Sequence, residues 1–210
     1  MNRKDLTRKN ISDSFKALAS KLPFDKITVN DICGQAGMSR QAFYYNFSDR
    51  RELLVWTFRN DLADMVRAID DKLTYIYDNE GPYAGKPYFF PYRERSKITD
   101  YWYQFIEMSR ANKRFYISAW AGKDADTLHE HIFTMFRNLF YNEVVERARD
   151  FPVKPNDAEF LADYFACASV GSYIIWVKKG MPNKDHVSDS LFTINHDLLQ
   201  DCLRRLGVVD

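Results

Sequence analysis

Residues 27–53 contain two short helical patterns separated by a turn. In the first pattern, apolar residues recur at i, i+3, i+4 and i+7, at Val29, Ile32, Cys33 and Ala36. This spacing predicts a helix with one buried face. Thr28 stands where it can cap that helix, with Asp31 as its capping-box partner. Gly37 then predicts a sharp helix end, because a residue without a Cβ accepts a positive φ at little steric cost.

The second pattern begins after Ser39, a predicted N-cap. Phe43 and Phe47 are four residues apart, so they share the helix face that points into a small core. The polar side chains of this helix are Arg40, Gln41, Tyr44 and Tyr45. Two short helices joined by a sharp turn, the second with a free polar face, are typical of a helix-turn-helix DNA-binding motif.

This run resembles the N-terminal domain of the TetR family of bacterial transcription regulators. The matching positions are Thr28, Val29, Ile32, Ala36, Gly37, Ser39, Phe43, Tyr44, Phe47, Arg50 and Leu53. The segment SRQAFYYNFSDRREL further resembles the branch similar to regulators of dihydroxyacetone kinase genes. The resemblance implies an all-α protein, with a three-helix DNA-binding domain at residues 1–48 and a larger effector-binding and dimerisation domain at residues 49–210.

The candidate DNA-binding residues are Thr28, Ser39, Arg40, Gln41, Tyr44, Tyr45 and Arg50. Arg40 and Gln41 stand at the start of the second helix, where we expect them to touch base edges in the major groove. We expect Thr28, Tyr44 and Arg50 to bind phosphates, through a hydroxyl at a helix N-terminus, a phenol and a guanidinium.

The distribution of charge agrees with this interpretation. The 210-residue chain has a formal net charge of only +1. Residues 1–60 carry 11 Lys and Arg and 6 Asp and Glu, a net charge of +5, whereas the remainder has a net charge of −4. A basic N-terminal segment attracts phosphate where the motif lies. A solvated charged face would account for the same imbalance if the motif were absent.

Helical periodicity covers most of the chain, with no strong strand signal. The apolar face of the first helix contains Ile11, Phe15, Leu18 and Leu22. We expect this helix to end at Pro23, since proline disfavours helix at the preceding residue. A fourth helix, capped by Asp49 and Glu52, is expected to run to about residue 77 and to join the two domains. Further helices are predicted over 97–111, 112–121, 125–149, 157–179 and 187–206.

The last two helices predict a dimerisation unit. Segment 160–177 is apolar on nearly all sides and therefore needs cover all round. The interface candidates are the small residues Ala166, Ser169 and Gly171, which allow close helix approach, and Leu198 of the final helix. Two copies of the pair can form a four-helix bundle about a two-fold axis, as the resemblance to TetR proteins also implies. A buried helix within one subunit is the alternative.

Aromatic residues are the candidates for an effector pocket in the second domain: Tyr88, Phe89, Tyr92, Trp102, Phe105 and Trp120. The first three lie in segment 78–96, whose three prolines and two glycines predict a loop. The same side chains can equally form a core, because aromatic stripes at helical spacing usually pack. The resemblance implies control by a small molecule or by a protein partner.

The sequence does not indicate catalysis, a metal site or a cofactor. The three cysteines are Cys33, Cys167 and Cys202, and their spacing suits neither a disulfide framework nor zinc. His129 and His131 are two apart, which does not bring them together on a helix. Asp124 and Asp126 are interpreted as a solvated helix end. With neither an apolar leader nor a bilayer-length apolar span recognised, we expect a cytoplasmic protein with no membrane partner.

These features predict a homodimeric, sequence-specific transcription regulator that binds a double-stranded DNA operator. We expect a repressor, controlled by a small molecule or protein bound to the C-terminal domain. The alternative is a helical enzyme or ligand carrier that retains a helix-turn-helix-like head without operator specificity.

Overall fold

A computed structural model describes residues 3–69, 104–148, 153–182 and 188–207 of the protein. The helices are α1 (Arg3–Ala19), α2 (Val29–Ala36), α3 (Arg40–Asn46), α4 (Arg50–Ile69), α5 (104–111), α6 (Lys113–Ala121), α7 (Ala125–Arg147), α8 (Pro155–Lys178) and α9 (Ser188–Arg205), with a 3-10 turn at Phe24–Lys26. These ranges contain no strand. The all-α fold expected from the sequence is confirmed.

The first three helices form a small unit, the head, around a shared apolar core. Its fully or nearly fully buried side chains include Ile11, Phe15, Ile32, Phe43 and Phe47. In addition, Asn10 Nδ2 of α1 donates a hydrogen bond to the carbonyl of Ala36, at the end of α2, over 3.1 Å. α1 therefore supports both helices of the helix-turn-helix motif.

α1 ends earlier than the sequence predicted. Its last residue is Ala19, and the chain turns before the short 3-10 segment that follows Pro23. Leu22 is 41% exposed instead of belonging to the apolar face of the helix. Phe24 is buried, with its ring centroid 5.2 Å from that of Phe15. The early end has a physical reason, since the chain must reverse direction to return Phe24 to the core of the head.

α4 leaves the head and enters the body, which consists of the later helices. Its start carries the predicted cap: the Glu52 amide donates to Asp49 Oδ1 at 2.8 Å, and the Ser48 amide donates to Glu52 Oε2 at 2.7 Å. The buried side chains of α4 are Leu53, Leu54, Thr57, Phe58, Asp61, Leu62 and Met65. The expected continuation to residue 77 and the loop at 78–96 lie outside the described residues.

Among the described residues, one face of α8 is buried, and it packs against α7. The buried residues of α8 are Ala158, Leu161, Ala162, Phe165, Ala166, Ser169, Val170, Tyr173, Trp176 and Val177. Ala166 and Ser169 have no exposed surface, so their assignment to the dimer interface is wrong. Their small side chains allow helices of the same subunit to approach closely. For this face of α8 the alternative interpretation, a helix buried within one subunit, is correct.

By length and composition alone, α8 could also cross a membrane, contrary to the expectation that the chain has no bilayer-length apolar span. Half of its most apolar stretch is buried inside the protein. The core helix of a soluble protein has the same properties. The finding is therefore weak evidence for a membrane-spanning role.

A buried carboxylate joins the head to the body. Asp61 of α4 accepts a hydrogen bond from Tyr116 Oη of α6 at 2.7 Å and forms an ion pair with Lys16 of α1. Burial raises the pKa of Asp61, although the charge and hydrogen bond of Lys16 act in the opposite direction. Because the Asp61 side chain of α4 binds groups from both α1 and α6, α1 is fixed relative to α6 at this point.

Candidate DNA-binding surface

The N-terminus of α2 is closed by a reciprocal cap. The Thr28 amide donates to Asp31 Oδ2 at 2.8 Å, and the Asp31 amide donates to Thr28 Oγ1 at 3.2 Å. Thr28 Oγ1 also donates to Asp31 Oδ2 at 2.7 Å, and this hydrogen bond together with the one from the Thr28 amide lowers the pKa of Asp31. The predicted capping box is confirmed. Thr28 is exposed at the positive end of the helix dipole, a position that suits contact with a phosphate.

The turn between α2 and α3 has the predicted geometry. Gly37 has φ +65° and ψ +38°, the left-handed conformation that glycine adopts without steric cost. The Met38 amide then donates to the Cys33 carbonyl at 3.0 Å, which closes the end of α2. Ser39 begins α3, and its Oγ accepts a hydrogen bond from the Ala42 amide at 3.2 Å. These local contacts set the angle between the two helices.

α3 has one buried face and one exposed face. Phe43 and Phe47 lie in the core of the head, as predicted. The exposed side chains of α3 are Arg40, Gln41, Tyr44 and Tyr45. Tyr45 is 79% exposed, so its ring contributes little to the packing of the head. This face is therefore available to a polar partner.

Arg8 of α1 holds the C-terminal end of α3. Its Nη2 donates to the Asn46 carbonyl at 2.6 Å, and its guanidinium lies 4.8 Å from the centroid of the Phe47 ring. It also pairs with Glu52 of α4 at 3.6 Å. A helix of seven residues is too short to be stable alone, so α3 depends on such contacts for its position.

Arg50 has a different role from the predicted one. Its Nη1 donates to the carbonyls of Phe24 at 2.6 Å and Ile27 at 3.0 Å, and its Nη2 donates to Asp124 Oδ2 at 2.5 Å. The side chain is only 12% exposed. The expectation that Arg50 binds a phosphate is therefore corrected, because its donors are directed inward and fix the segment that leads into α2.

Asp124, at the start of α7, is the partner that sequence reasoning missed. Its interpretation as a solvated residue is wrong: its side chain is 3% exposed and accepts hydrogen bonds from Arg50 and from Arg51 Nε, the latter at 3.0 Å. Burial acts to raise the pKa of Asp124, but the hydrogen bonds and charges of the two arginines outweigh it and the pKa is lowered. No local pattern reveals this contact, since its partners are 74 and 73 residues away.

The turn between α6 and α7, residues 122–124, packs directly on the head. A Cβ at Gly122 would lie 2.8 Å from Cδ1 of Phe24, so glycine is needed for this close approach. The amide of Lys123 donates to Asp25 Oδ1 at 2.9 Å. Together with Asp124, this turn connects the body to the segment just before α2.

Two family models match separate parts of the chain. The model described as bacterial regulatory proteins, tetR family, matches residues 15–55, which include the surface described above. The model described as a transcriptional regulator C-terminal region matches residues 96–195. The chain belongs to the TetR family of transcription regulators.

Among characterised proteins, the chain is similar to the HTH-type dhaKLM operon transcriptional activator DhaS of Lactococcus lactis subsp. lactis strain IL1403. The two are 36% identical over 80 residues, which are 38% of this chain and 42% of the relative. The solved structure of a dihydroxyacetone kinase operon activator DhaS matches 97% of this chain and 98% of that one, with a TM-score of 0.60 at 19% identity. A gamma-butyrolactone receptor (ArpA like protein) matches at a TM-score of 0.41 and 17% identity, over 95% of this chain and 100% of that one.

The similarity to the L. lactis relative agrees with the branch of the TetR family that the sequence indicated. The match to the L. lactis relative spans less than half of that protein. The match to the solved structure spans nearly the whole chain, and its low identity supports the fold alone.

In this TetR-family chain, the structure describes only part of the expected effector pocket. Tyr88, Phe89, Tyr92 and Trp102 are outside the described residues. Phe105 and Trp120 are buried around Tyr173 of α8, with ring centroids 5.0 and 6.2 Å from the Tyr173 ring. Tyr173 Oη also lies 3.0 Å from Ser109 Oγ. The two described candidates are therefore brought together beside buried hydroxyl groups, an arrangement compatible with a pocket wall or with a core.

The outward face of α8 carries an apolar stripe that the described part of the protomer leaves uncovered. The stripe is Phe160, Tyr164, Cys167, Gly171 and Ile175, spaced at i, i+4, i+7, i+11 and i+15. Gly171 belongs to this face, unlike Ala166 and Ser169, and a Cβ added to it meets no atom within 4 Å. On α9, Ile194 and Leu198 are 55% and 44% exposed. These large exposed side chains are candidates for an interface.

Within the described residues, no group of three or more His, Cys, Asp or Glu side chains lies close enough to hold a metal ion.

Proposed function

We propose that this TetR-family chain is a homodimeric, cytoplasmic regulator that binds a specific DNA operator. The observation that carries the proposal is the exposed polar face of α3, with Arg40, Gln41, Tyr44 and Tyr45. A left-handed glycine turn, a serine cap and contacts from α1 hold this face in place. A rigid short helix with polar side chains at its N-terminal end suits insertion into the major groove.

Individual roles follow from position on the motif. Gln41 and Arg40 lie in the first turn of α3, where glutamine suits adenine and arginine suits guanine. Thr28 at the N-terminus of α2 and Tyr44 on α3 are assigned to phosphates. Arg50 is left out of the phosphate contacts, because its donors are engaged within the protein.

Dimerisation is assigned to the outward faces of α8 and α9. The exposed stripe of α8 runs the length of the helix, and Leu198 offers a second apolar contact on α9. Two copies of these faces can bury each other across a two-fold axis in a four-helix bundle. Dimerisation also has a functional reason, since two recognition helices about 34–36 Å apart are needed to read successive major grooves on one side of DNA.

Control is assigned to the body. We propose that a small molecule or a protein partner, bound near residues 88–92, Trp102 and Phe105, changes the separation of the two heads. α4 and the turn at 122–124 both join the body to the head, which supports this route. A coupling of ~1–3 kcal/mol would change operator affinity ~5–150-fold.

Thermodynamic linkage tests this control. An effector found by thermal-shift screening should alter operator affinity by the same factor by which operator alters effector affinity. Equal effector affinity with and without operator would refute the coupling.

The sign of regulation has two candidates. Repression is the expectation from the sequence, whereas the L. lactis relative is named as an activator. A reporter fused to the bound promoter distinguishes them. Deletion of the gene for this chain raises reporter expression if the protein represses and lowers it if the protein activates.

Selective DNA binding is the test of the proposed function. The purified protein should shift a duplex taken from upstream of its own gene, at moderate salt and against excess random competitor, and should protect a symmetric site in a footprint. Equal affinity for this duplex and for random DNA would favour the alternative, a helical enzyme or ligand carrier with a helix-turn-helix-like head.

A further inference from the structure

An open groove of about 580 Å³ runs between the first turns of α1 and the exposed side of α3. Its lining residues are Arg3, Lys4 and Thr7 from α1, with Ser39, Gln41, Ala42, Tyr45 and Asn46 from the start and length of α3. Gln41 and Tyr45 therefore belong both to this groove and to the face proposed to read DNA. The groove is a lateral extension of that face.

The groove is basic. Arg3 and Lys4 are exposed and positively charged, and none of the residues that line the groove is acidic. Lys4 Nζ lies 5.8 Å from the centroid of the Tyr45 ring, so the cation and the phenol stand on opposite walls within reach of one bound group. Hydroxyl and amide side chains supply the remaining polar surface. This composition suits an anion that is extended along the groove.

The dimensions of DNA identify that anion. The major groove is about 12 Å wide, and an α-helix with its side chains is about 10–12 Å across. A helix that enters the major groove therefore has a phosphate backbone against each of its long sides. The groove beside α3 lies where one of these backbones must pass when Gln41 faces the bases.

We propose that this groove holds the phosphate backbone of one operator strand, with Arg3 and Lys4 as phosphate contacts beyond the helix-turn-helix motif. The inference rests on the proposed function and adds the first turn of α1 to the DNA-binding surface. Its contribution depends on salt and is the same for all sequences, because phosphates carry no base information.

A pair of double variants tests the proposal. R3A/K4A removes one Arg and one Lys from the first turn of α1, and K113A/R114A removes the same two residue types from the first turn of α6. All four side chains are exposed, so neither variant creates a cavity. The two proteins have the same net charge, and circular dichroism should show the same helix content.

Operator affinity is then measured over a range of salt concentrations. The slope of log K against log salt falls by roughly 0.9 for each phosphate that the protein no longer neutralises. Removing Arg3 and Lys4 from both subunits of a dimer frees up to four phosphates, so R3A/K4A should lower the slope by up to about 3.6, with base preference unchanged. K113A/R114A should keep the wild-type slope. A change in base preference with an unaltered slope would overturn the phosphate assignment.

Uncharged methylphosphonates, placed one at a time along the operator, locate the contact. Wild type and K113A/R114A should lose affinity when a phosphate beside the half-site is neutralised, and R3A/K4A should be insensitive there. If R3A/K4A and K113A/R114A behave alike, this inference is overturned while the proposed function stands. If the wild-type protein selects no duplex, the proposed function itself fails and this inference with it.

Discussion

Gln41 lies in the first turn of α3 with its side chain exposed, and we expect it to read one base pair in each half-site. Replacing Gln41 by Ala should weaken operator binding by roughly 1–3 kcal/mol and relax the preference at that base pair. Selection from a randomised operator measures both effects. Gln35→Ala is the control, since Gln35 is exposed on α2. An unchanged selection profile for Gln41→Ala would remove Gln41 from the base contacts.

His131 of α7 makes stability depend on pH. Burial and the charge of Arg59 lower the pKa of His131 to about 4. The unfolded chain, with a histidine pKa near 6.5, therefore binds a proton more readily than the folded chain between pH 6.5 and 4. The stability that the folded protein has with neutral, buried His131 is therefore fully present above pH 6.5 and is lost as the pH falls towards 4.

Urea unfolding at pH 7 and pH 5 measures this loss. The wild-type free energy of unfolding should fall by up to about 2 kcal/mol between these values on account of His131. His131→Gln should remove that part of the pH dependence, whereas His129→Gln, at an exposed position of the same helix, should retain it. Equal pH dependence in the two variants would contradict the role of His131.

Residues whose function is local could be predicted from the sequence. Thr28, Gly37 and Ser39 act through hydrogen bonds or backbone angles within a few residues of themselves, and the structure confirms their local geometry. Arg50 and Asp124 could not be assigned in this way. They pair across 74 positions of the sequence. The residues next to a charged side chain do not show whether that side chain is solvated or forms a buried ion pair.

At the scale of elements, periodicity located the helices of the described chain but did not orient α8. A helix that is apolar on nearly all sides gives no signal of which face is inward. The structure places Ala166 and Ser169 inward and Gly171 outward. The predicted end of α1 was also wrong. Phe24 packs against Phe15 in the core of the head, and the presence of Pro23 in the sequence does not predict this contact.

The turn at 122–124 is one of the elements that connect the body to the DNA-binding motif, and Asp124→Asn tests its role. Loss of the carboxylate charge leaves Arg50, which is 12% exposed, without its buried partner. We expect a destabilisation of about 3 kcal/mol, at the lower end for a broken buried ion pair, and weaker operator binding. Chemical denaturation and a DNA titration measure the two effects.

Asp126→Asn is the matched control, because Asp126 is exposed in the first turn of the same helix. The lowered pKa of Asp124 adds a second signature. The stabilisation that ionised Asp124 gives to the folded protein is present above the unfolded pKa of about 3.9 and is lost as the pH falls below that value. The wild-type protein should therefore lose more stability in acid than Asp124→Asn. If Asp124→Asn and Asp126→Asn behave alike, the turn does not hold the head in place.

At the scale of the whole molecule, the described protomer has a basic, polar surface on the head and an uncovered apolar stripe on the body. The first suits DNA and the second suits another copy of the chain. The two needs are linked, since one head reaches one half-site and a two-fold dimer reaches two. Disrupting the stripe should therefore weaken DNA binding without any change to the head.

Gly171→Leu tests this link. In the protomer a Cβ at Gly171 meets no atom within 4 Å, so the new side chain projects from the surface without a clash. Leucine also has a higher helix propensity than glycine by about 0.8–1 kcal/mol, so helix content should be maintained or increased. In a close helix pair across a two-fold axis, the same side chain overpacks the contact at a cost of roughly 1–3 kcal/mol. Dimerisation should weaken about 5–150-fold, and operator affinity should fall with it.

Light scattering over a concentration series measures the first effect and a DNA titration the second. Glu159→Leu adds the same side chain to an exposed position of α8 beside the stripe and should leave the dimer intact. A Gly171→Leu protein that remains a dimer of wild-type affinity would place the interface elsewhere.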